Sequence, residues 1–246
     1  MNKTNILVPM AGKSVFFDEE AHHYPKPLIE INGKPMIQHV IENLSTIHAI
    51  NKFIFVVNRG ECKKYHLDHV LNLLTDGQCE IITIDRETKG FACSALLAIQ
   101  HINNDTELII SNSDQIFGED LNVMLDNFRK RRLDAGVPVF ETVHPRWSYV
   151  RLDPENRIME TAEKKPLSRH AIAGLFYFRQ GQFFVNAAMK MIRKDASVNG
   201  AYYIAPALNE LILEKRNMGI FTVDGGRYHS FYTPEKIKLY ENRKKN

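Results

Sequence analysis

Apolar positions in the first half of the chain fall into two alternating rhythms. Short continuous runs, Ile6-Leu-Val-Pro-Met10, Lys52-Phe-Ile-Phe-Val-Val57, Glu80-Ile-Ile-Thr-Ile84 and Thr106-Glu-Leu-Ile-Ile110, read as buried strands. Between them lie stretches of helical spacing. Pro35 to Ile47 carries Met36, Ile37, Val40, Ile41 and Leu44 on one face, with Pro35 expected in the first turn. Glu61 to Leu74 carries Leu67, Val70, Leu71 and Leu74, and Phe91 to Ile102 reads as a helix opened by Gly90. Strands alternating with helices predict βαβ units, a parallel sheet and right-handed crossovers.

The rhythm changes in the second half. Ala135 to Glu141 reads as a strand, and Ser148 to Asp153 with Arg157 to Glu160 as a hairpin around Pro154-Glu-Asn156. Ala171 to Phe178 reads as one strand, Phe183 to Ile192 and Ile204 to Glu214 as helices, Ile220 to Val223 as a strand, and Pro234 to Glu241 as a last helix. No repeat or low-complexity linker interrupts the chain, so residues 1–246 are expected to form one α/β domain, a parallel half over 1–118 continued by a mixed half over 119–246. In open α/β sheets the ligand lies at the carboxyl ends of the strands. That rule gathers Met10 to Lys13, Thr88 to Ala92 and Asn112 to Ile116 around one crevice.

Composition narrows the classes. The formal charge is only +3, and the one basic cluster is the short tail Arg243-Lys244-Lys245, so a nucleic-acid partner is not expected. Cys62, Cys79 and Cys93 are widely spaced, which suits neither a disulfide framework nor a structural zinc site. No apolar run reaches the roughly 18 residues of a membrane span, and no signal-peptide core precedes Asn5, so a cytoplasmic setting is the expectation.

Several segments carry candidate chemistry. Strand Ile6 to Met10 runs into the small-residue turn Ala11-Gly12-Lys13, where backbone N–H groups can approach anionic oxygens. Lys26 is held between Pro25 and Pro27, which stiffen the backbone on both sides of its ammonium. Asp114, in Ser111-Asn-Ser-Asp-Gln115 just past a strand, is placed either to hold a hard cation such as Mg²⁺ or to cap a turn beside Asn112 and Ser113. Glu163-Lys164, on a loop before Pro166, offers an ammonium for a second phosphate or is a solvated charge pair. Lys89-Gly90-Phe-Ala92 opens a helix whose start suits an anion or a base edge, or simply packs closely. The ten histidines include the neighbours His22 and His23 and the pair His66 and His69, but form no His-Glu-x-x-His pattern.

These pieces occur together in one order. Val8-Pro-Met-Ala-Gly12, Tyr24-Pro-Lys-Pro-Leu28, Ile31-Asn-Gly-Lys-Pro-Met36, Gly90-Phe-Ala-Cys-Ser-Ala95, Asn112-Ser-Asp-Gln115, Ala162-Glu-Lys164, Ala173-Gly-Leu-Phe-Tyr-Phe178 and Thr233-Pro-Glu235 span nearly the whole chain. In this it resembles the sugar-1-phosphate nucleotidyltransferases, or nucleotide-sugar pyrophosphorylases, and more closely a branch found in capsule and surface-polysaccharide gene clusters. The resemblance implies a Rossmann-like GT-A fold, a central mixed, mostly parallel sheet flanked by helices, with a small hairpin in the second half. It also implies Mg²⁺ as cofactor, and a nucleoside triphosphate and a sugar phosphate as ligands. Residue by residue, Met10, Ala11, Gly12 and Lys13 would cradle phosphates and Lys26 would neutralise the α-phosphate. Lys89 and Gly90 would face the base beside Asn112 and Ser113. Asp114 would bind the metal, and Gln115, Glu163, Lys164 and Gly174 would face the sugar phosphate.

Two stretches depart from the family pattern. Where the family loop reads Gly-x-Gly-Ser/Thr-Arg, this chain has Ser14 for the second glycine and Phe16 for the arginine, a bidentate phosphate ligand that Lys13 replaces only as a point charge. Where the family places a second metal aspartate, the chain has Ser230, leaving Asp224 as the candidate substitute. Three functions therefore stand: a nucleotidyltransferase, a GT-A-type glycosyltransferase using a preformed nucleotide sugar, and a non-catalytic nucleotide or sugar-phosphate binding protein. Assembly into a homo-oligomer is compatible with each.

Overall fold

A computed structural model describes residues 3–12, 16–17 and 24–243. The first half contains β1 (Thr4–Pro9), a 3-10 turn at Lys26–Leu28, β2 (Glu30–Ile31), β3 (Lys34–Pro35), α1 (Met36–Leu44), β4 (Ile50–Asn58), α2 (Arg59–Tyr65) and α3 (Leu67–Leu74). It continues with β5 (Cys79–Ile84), α4 (Phe91–Leu96), α5 (Ile99–Ile102), β6 (Glu107–Ser111) and β7 (Gln115–Phe117). The second half contains α6 (Leu121–Lys130), β8 (Ala135–Glu141), β9 (Ser148–Leu152), β10 (Ile158–Glu163), β11 (His170–Ile172) and β12 (Leu175–Phe178). After these come α7 (Gly181–Arg193), α8 (Ile204–Leu213), β13 (Met218–Thr222), β14 (Tyr228–Ser230) and α9 (Pro234–Arg243).

One mixed sheet runs in the order β10-β9-β11-β8-β12-β6-β1-β4-β5, with β13 added beside β8. The apolar runs of the first half form its parallel part, because β1 pairs in parallel with both β4 and β6, and β4 with β5. β12 is antiparallel to β6 and carries the sheet into the second half, where β9 and β10 form the expected hairpin. The period-2 geometry of strands sends alternate side chains to opposite faces. Ile6 and Val8 accordingly join a core under α1, α3 and α6, while Leu7 joins a core under α4, α7 and α8. A smaller third cluster of Phe17, Ile31, Met36, Phe231, Ile237 and Tyr240 ties α9 and the end of β14 to the start of α1.

Four elements depart from the periodicity. The helix expected over Glu61 to Leu74 breaks at His66, which adopts φ 53° between α2 and α3. The helix expected from Phe91 to Ile102 splits into α4 and α5 around Leu97 and Ala98. The strand expected over Ala171 to Phe178 splits into β11 and β12 at Gly174, where φ is +57°. Pro35 ends β3 and caps α1 with extended ψ 143° rather than entering the helix. The β7–β14 ladder, three residues on each side, has no counterpart among the expected strands, and it reaches the crevice.

Candidate active site

Lys26 and Asp114 meet at the carboxyl end of β6. The 3-10 turn at Lys26–Leu28 is preset by Pro25 (φ −64°) and closed by a hydrogen bond from Leu28 N–H to the Pro25 carbonyl at 2.8 Å. It delivers the Lys26 ammonium to the Asp114 carboxylate at 2.5 Å, with both side chains mostly buried. The same ammonium lies over the Phe17 and Tyr232 rings, 5.4 Å from each centroid. The Asp114 carbonyl accepts the Phe231 N–H at 2.7 Å, so the segment after β14 is fastened to the metal-candidate residue itself.

Behind Asp114 lies a packed polar layer. Gln115 is buried; its carbonyl accepts the Tyr228 hydroxyl at 2.8 Å and its amide lies 3.5 Å from Ser111 Oγ. The Tyr228 hydroxyl is held well above its ordinary pKa by burial and by the nearby Asp114 charge, so it stays protonated and keeps the proton it donates to Gln115. Gly174 backs onto this layer: a Cβ there would collide with the Gln115 and Asn112 side chains, and its carbonyl accepts the Asn112 N–H at 3.0 Å. Gln115 and Gly174 were expected to face a ligand. They instead shape the floor on which Asn112, Ser113 and Asp114 sit, and those three remain partly accessible.

The phosphate-turn candidates divide. Met10 is buried, with its N–H on the Val56 carbonyl at 2.8 Å, and Ala11 is buried beside it. Gly12 is exposed and has open space where a Cβ would stand. Lys13 and Ser14 lie outside the described residues, as do His22 and His23. Gly90 has a tighter reason for its identity than a base edge. At φ +109° a Cβ there would collide with the backbone of Tyr202, whose N–H donates to the Lys89 carbonyl at 2.7 Å. The Tyr202 carbonyl in turn accepts the Ala92 N–H at 3.0 Å, so the start of α4 is occupied by protein backbone. Lys89 itself is exposed.

Glu163 and Lys164 stand at the end of β10. Lys164 adopts φ 55°, its N–H donates to the Trp147 carbonyl at 3.0 Å, and its ammonium donates to the Tyr203 hydroxyl at 2.8 Å. That hydrogen bond raises the Lys164 pKa. Burial raises the Glu163 pKa, against the Ser148 hydroxyl that donates to it and the Lys164 charge. The two residues line a cleft of about 520 Å³ with Asn199 and Asn209.

Asp224 is not brought to Asp114. Its carboxylate accepts the Gly226 N–H at 2.8 Å and its own N–H donates to Glu119, so it forms a turn before β14. Ser230, at the other end of that strand, pairs with Gln115. Among the described residues no three His, Cys, Asp or Glu side chains converge as a metal cluster. One carboxylate at a crevice suits a hard cation whose remaining ligands are phosphate oxygens and water.

The nucleotidyl transferase family profile matches residues 21–227. The chain belongs to this family. A bifunctional protein GlmU from Methanocaldococcus jannaschii is 28% identical over 218 residues, covering 87% of this chain and 48% of that protein. This chain thus spans about half the length of that relative. The UTP–glucose-1-phosphate uridylyltransferase AglF of Haloferax volcanii is 26% identical over 235 residues, covering 94% and 92% of the two chains. A nucleoside-diphosphate-sugar pyrophosphorylase from Vibrio cholerae has the same fold, with a TM-score of 0.82 at 22% identity over 96% of this chain and 99% of that one.

For a nucleotidyl transferase, the crevice has an aromatic wall that the sequence did not announce. Phe16, at the position of the missing arginine, packs on Tyr232 at 4.8 Å between centroids, and Tyr232 carries Lys26. Tyr203 and Ser148 were missed as well, although each holds one member of the Glu163-Lys164 pair. These partners lie 15 and 39 residues from the groups they hold, and no local spacing links them. No helix among the described residues is long and apolar enough to cross a membrane.

Proposed function

We propose that this nucleotidyl transferase joins the nucleoside monophosphate of an NTP to a sugar phosphate, or a similar small phosphate, and releases pyrophosphate. The Lys26–Asp114 pair at the carboxyl end of β6 carries the reading, because it joins a cation on a flexible stem to a metal-competent carboxylate where α/β sheets bind ligands. A phosphate oxygen of the acceptor attacks the α-phosphorus in line. The bond to the β-phosphate breaks, and its electron pair leaves on pyrophosphate. Lys26 neutralises the α-phosphate as it gives up Asp114, and Lys164 with Glu163 positions the acceptor. Asp114 would hold Mg²⁺, which when bound supplies charge neutralisation for the phosphates. Gly12, exposed at the end of β1, is free to approach the triphosphate.

The use of the product in capsule or surface-polysaccharide synthesis, in the cytoplasm, belongs to the same proposal and rests on the motif resemblance. One observation favours a second reading. Aromatic Phe16, packed on Tyr232, offers no bidentate ligand for a triphosphate, which a glycosyltransferase using a nucleotide sugar would not need. The two readings separate when the protein is incubated with Mg²⁺, each of the four NTPs and a panel of sugar phosphates. Pyrophosphate release supports the first; turnover only of preformed nucleotide sugars would sink it.

A further inference from the structure

A second cavity, of about 630 Å³, lies between the β8–β9 loop, β14 and α9. Nothing in the proposed reaction uses it. Its size is that of small-molecule sites. Its walls combine aromatic faces, Phe140, Trp147, Tyr228 and Tyr240, with the cationic side chains of Arg146, Lys236 and Arg243.

These cations lack carboxylate partners among the described residues. Arg146 is half-buried, stacked with its Cζ 4.4 Å from the Trp147 centroid and 5.6 Å from that of Tyr232, and no carboxylate among the described residues pairs with it. Lys236 likewise has no carboxylate partner among them, and Arg243 donates to the Gly226 carbonyl at 3.2 Å. The carboxylate in the lining, Glu141, faces Arg169 at 4.0 Å. A half-buried guanidinium held on rings, with two more cations across an open cavity, is an arrangement that an anion completes. Aromatic faces beside it suit the apolar face of a ring.

We propose that this cavity binds a phosphorylated, ring-bearing small molecule of the sugar-phosphate class, with its phosphate among Arg146, Lys236 and Arg243. The Tyr232 ring that Arg146 touches also carries Lys26, so the cavity adjoins the reaction centre without sharing Lys26, Asp114 or Lys164.

Trp147 is the chain's single tryptophan and stands in the cavity wall, so its fluorescence reports occupancy. The protein is titrated with a hexose 1-phosphate and, separately, with inorganic pyrophosphate, and the affinities are repeated by calorimetry. The expected result is saturable binding of the hexose 1-phosphate in roughly the millimolar range or tighter, with pyrophosphate weaker. Because the acceptor site at Glu163 and Lys164 takes the same ligand in the proposed reaction, the cavity is read in the Lys164→Ala background: saturable binding remains there, and adding Lys236→Ala/Arg243→Ala weakens it at least about tenfold. The proposal is overturned by either of two outcomes: no saturable binding by either method in the Lys164→Ala background, or unchanged affinity when Lys236→Ala/Arg243→Ala is added to it. It is also overturned if pyrophosphate binds as well as the sugar phosphate, since the rings would then contribute nothing. Each outcome stands whether or not the protein releases pyrophosphate from NTPs.

Discussion

Lys26 and Asp114 hold each other at 2.5 Å on the wall of the crevice, and in the proposed reaction each is what the other gives up when a phosphate arrives. Removing the cation should therefore harm turnover far more than folding. Lys26→Ala is expected to lower kcat for pyrophosphate formation by about 10²–10³-fold, the cost of one donor aimed at developing charge, while circular dichroism stays unchanged. Glu163 makes a separate prediction. Its folded pKa lies above the unfolded one because burial disfavours the charged form. The stability tied to it is complete below the unfolded pKa and is lost as the pH rises through the raised folded value. Glu163→Gln should thus melt higher than the natural protein at neutral pH, and the difference should close below about pH 4. Melting curves over that range check the sign.

At the scale of elements, the continuous apolar runs were legible because a strand covered on both faces needs apolar side chains at nearly every position. What periodicity could not show was where an element stops for the sake of its neighbours. Gly174 interrupts an unbroken apolar stretch because Asn112 and Gln115 occupy the space of its Cβ. Gly90 is glycine because the backbone of Tyr202 crosses it. Both glycines invite reading as ligand contacts, yet both answer packing against chain that is distant in sequence. The β7–β14 ladder was invisible for a related reason: three residues give too short a pattern to register, and its partner strand is more than 100 residues away. Gly174→Ala tests this view. It should push Asn112 and Gln115 from their places and reduce activity roughly tenfold or more without touching a ligand, at a stability cost of about 1–3 kcal/mol from the left-handed backbone alone. Unchanged kinetics would show that the floor under Asp114 is not needed.

For the whole molecule, the joint between the parallel and antiparallel parts of the sheet is polar at one end. Glu107 of β6 is buried and accepts from Arg129 of α6 at 2.7 Å, from Tyr177 of β12 at 3.0 Å and from Thr4 of β1 at 3.1 Å. Arg129→Ala leaves that carboxylate buried without its cation, and should cost about 3 kcal/mol in chemical denaturation. The same joint sets β6 between β1 and β12, and so fixes where Asp114 emerges. The order of motifs along the chain carried the family and the fold; the pairing of a lysine and an aspartate 88 residues apart carries the proposed chemistry. The most direct test is pyrophosphate release, measured with Mg²⁺, each NTP and a panel of sugar phosphates, for the natural protein and for Asp114→Asn. The account predicts release with at least one pair of substrates and its near-abolition in the variant. No release with any pair, or equal release by Asp114→Asn, would contradict it.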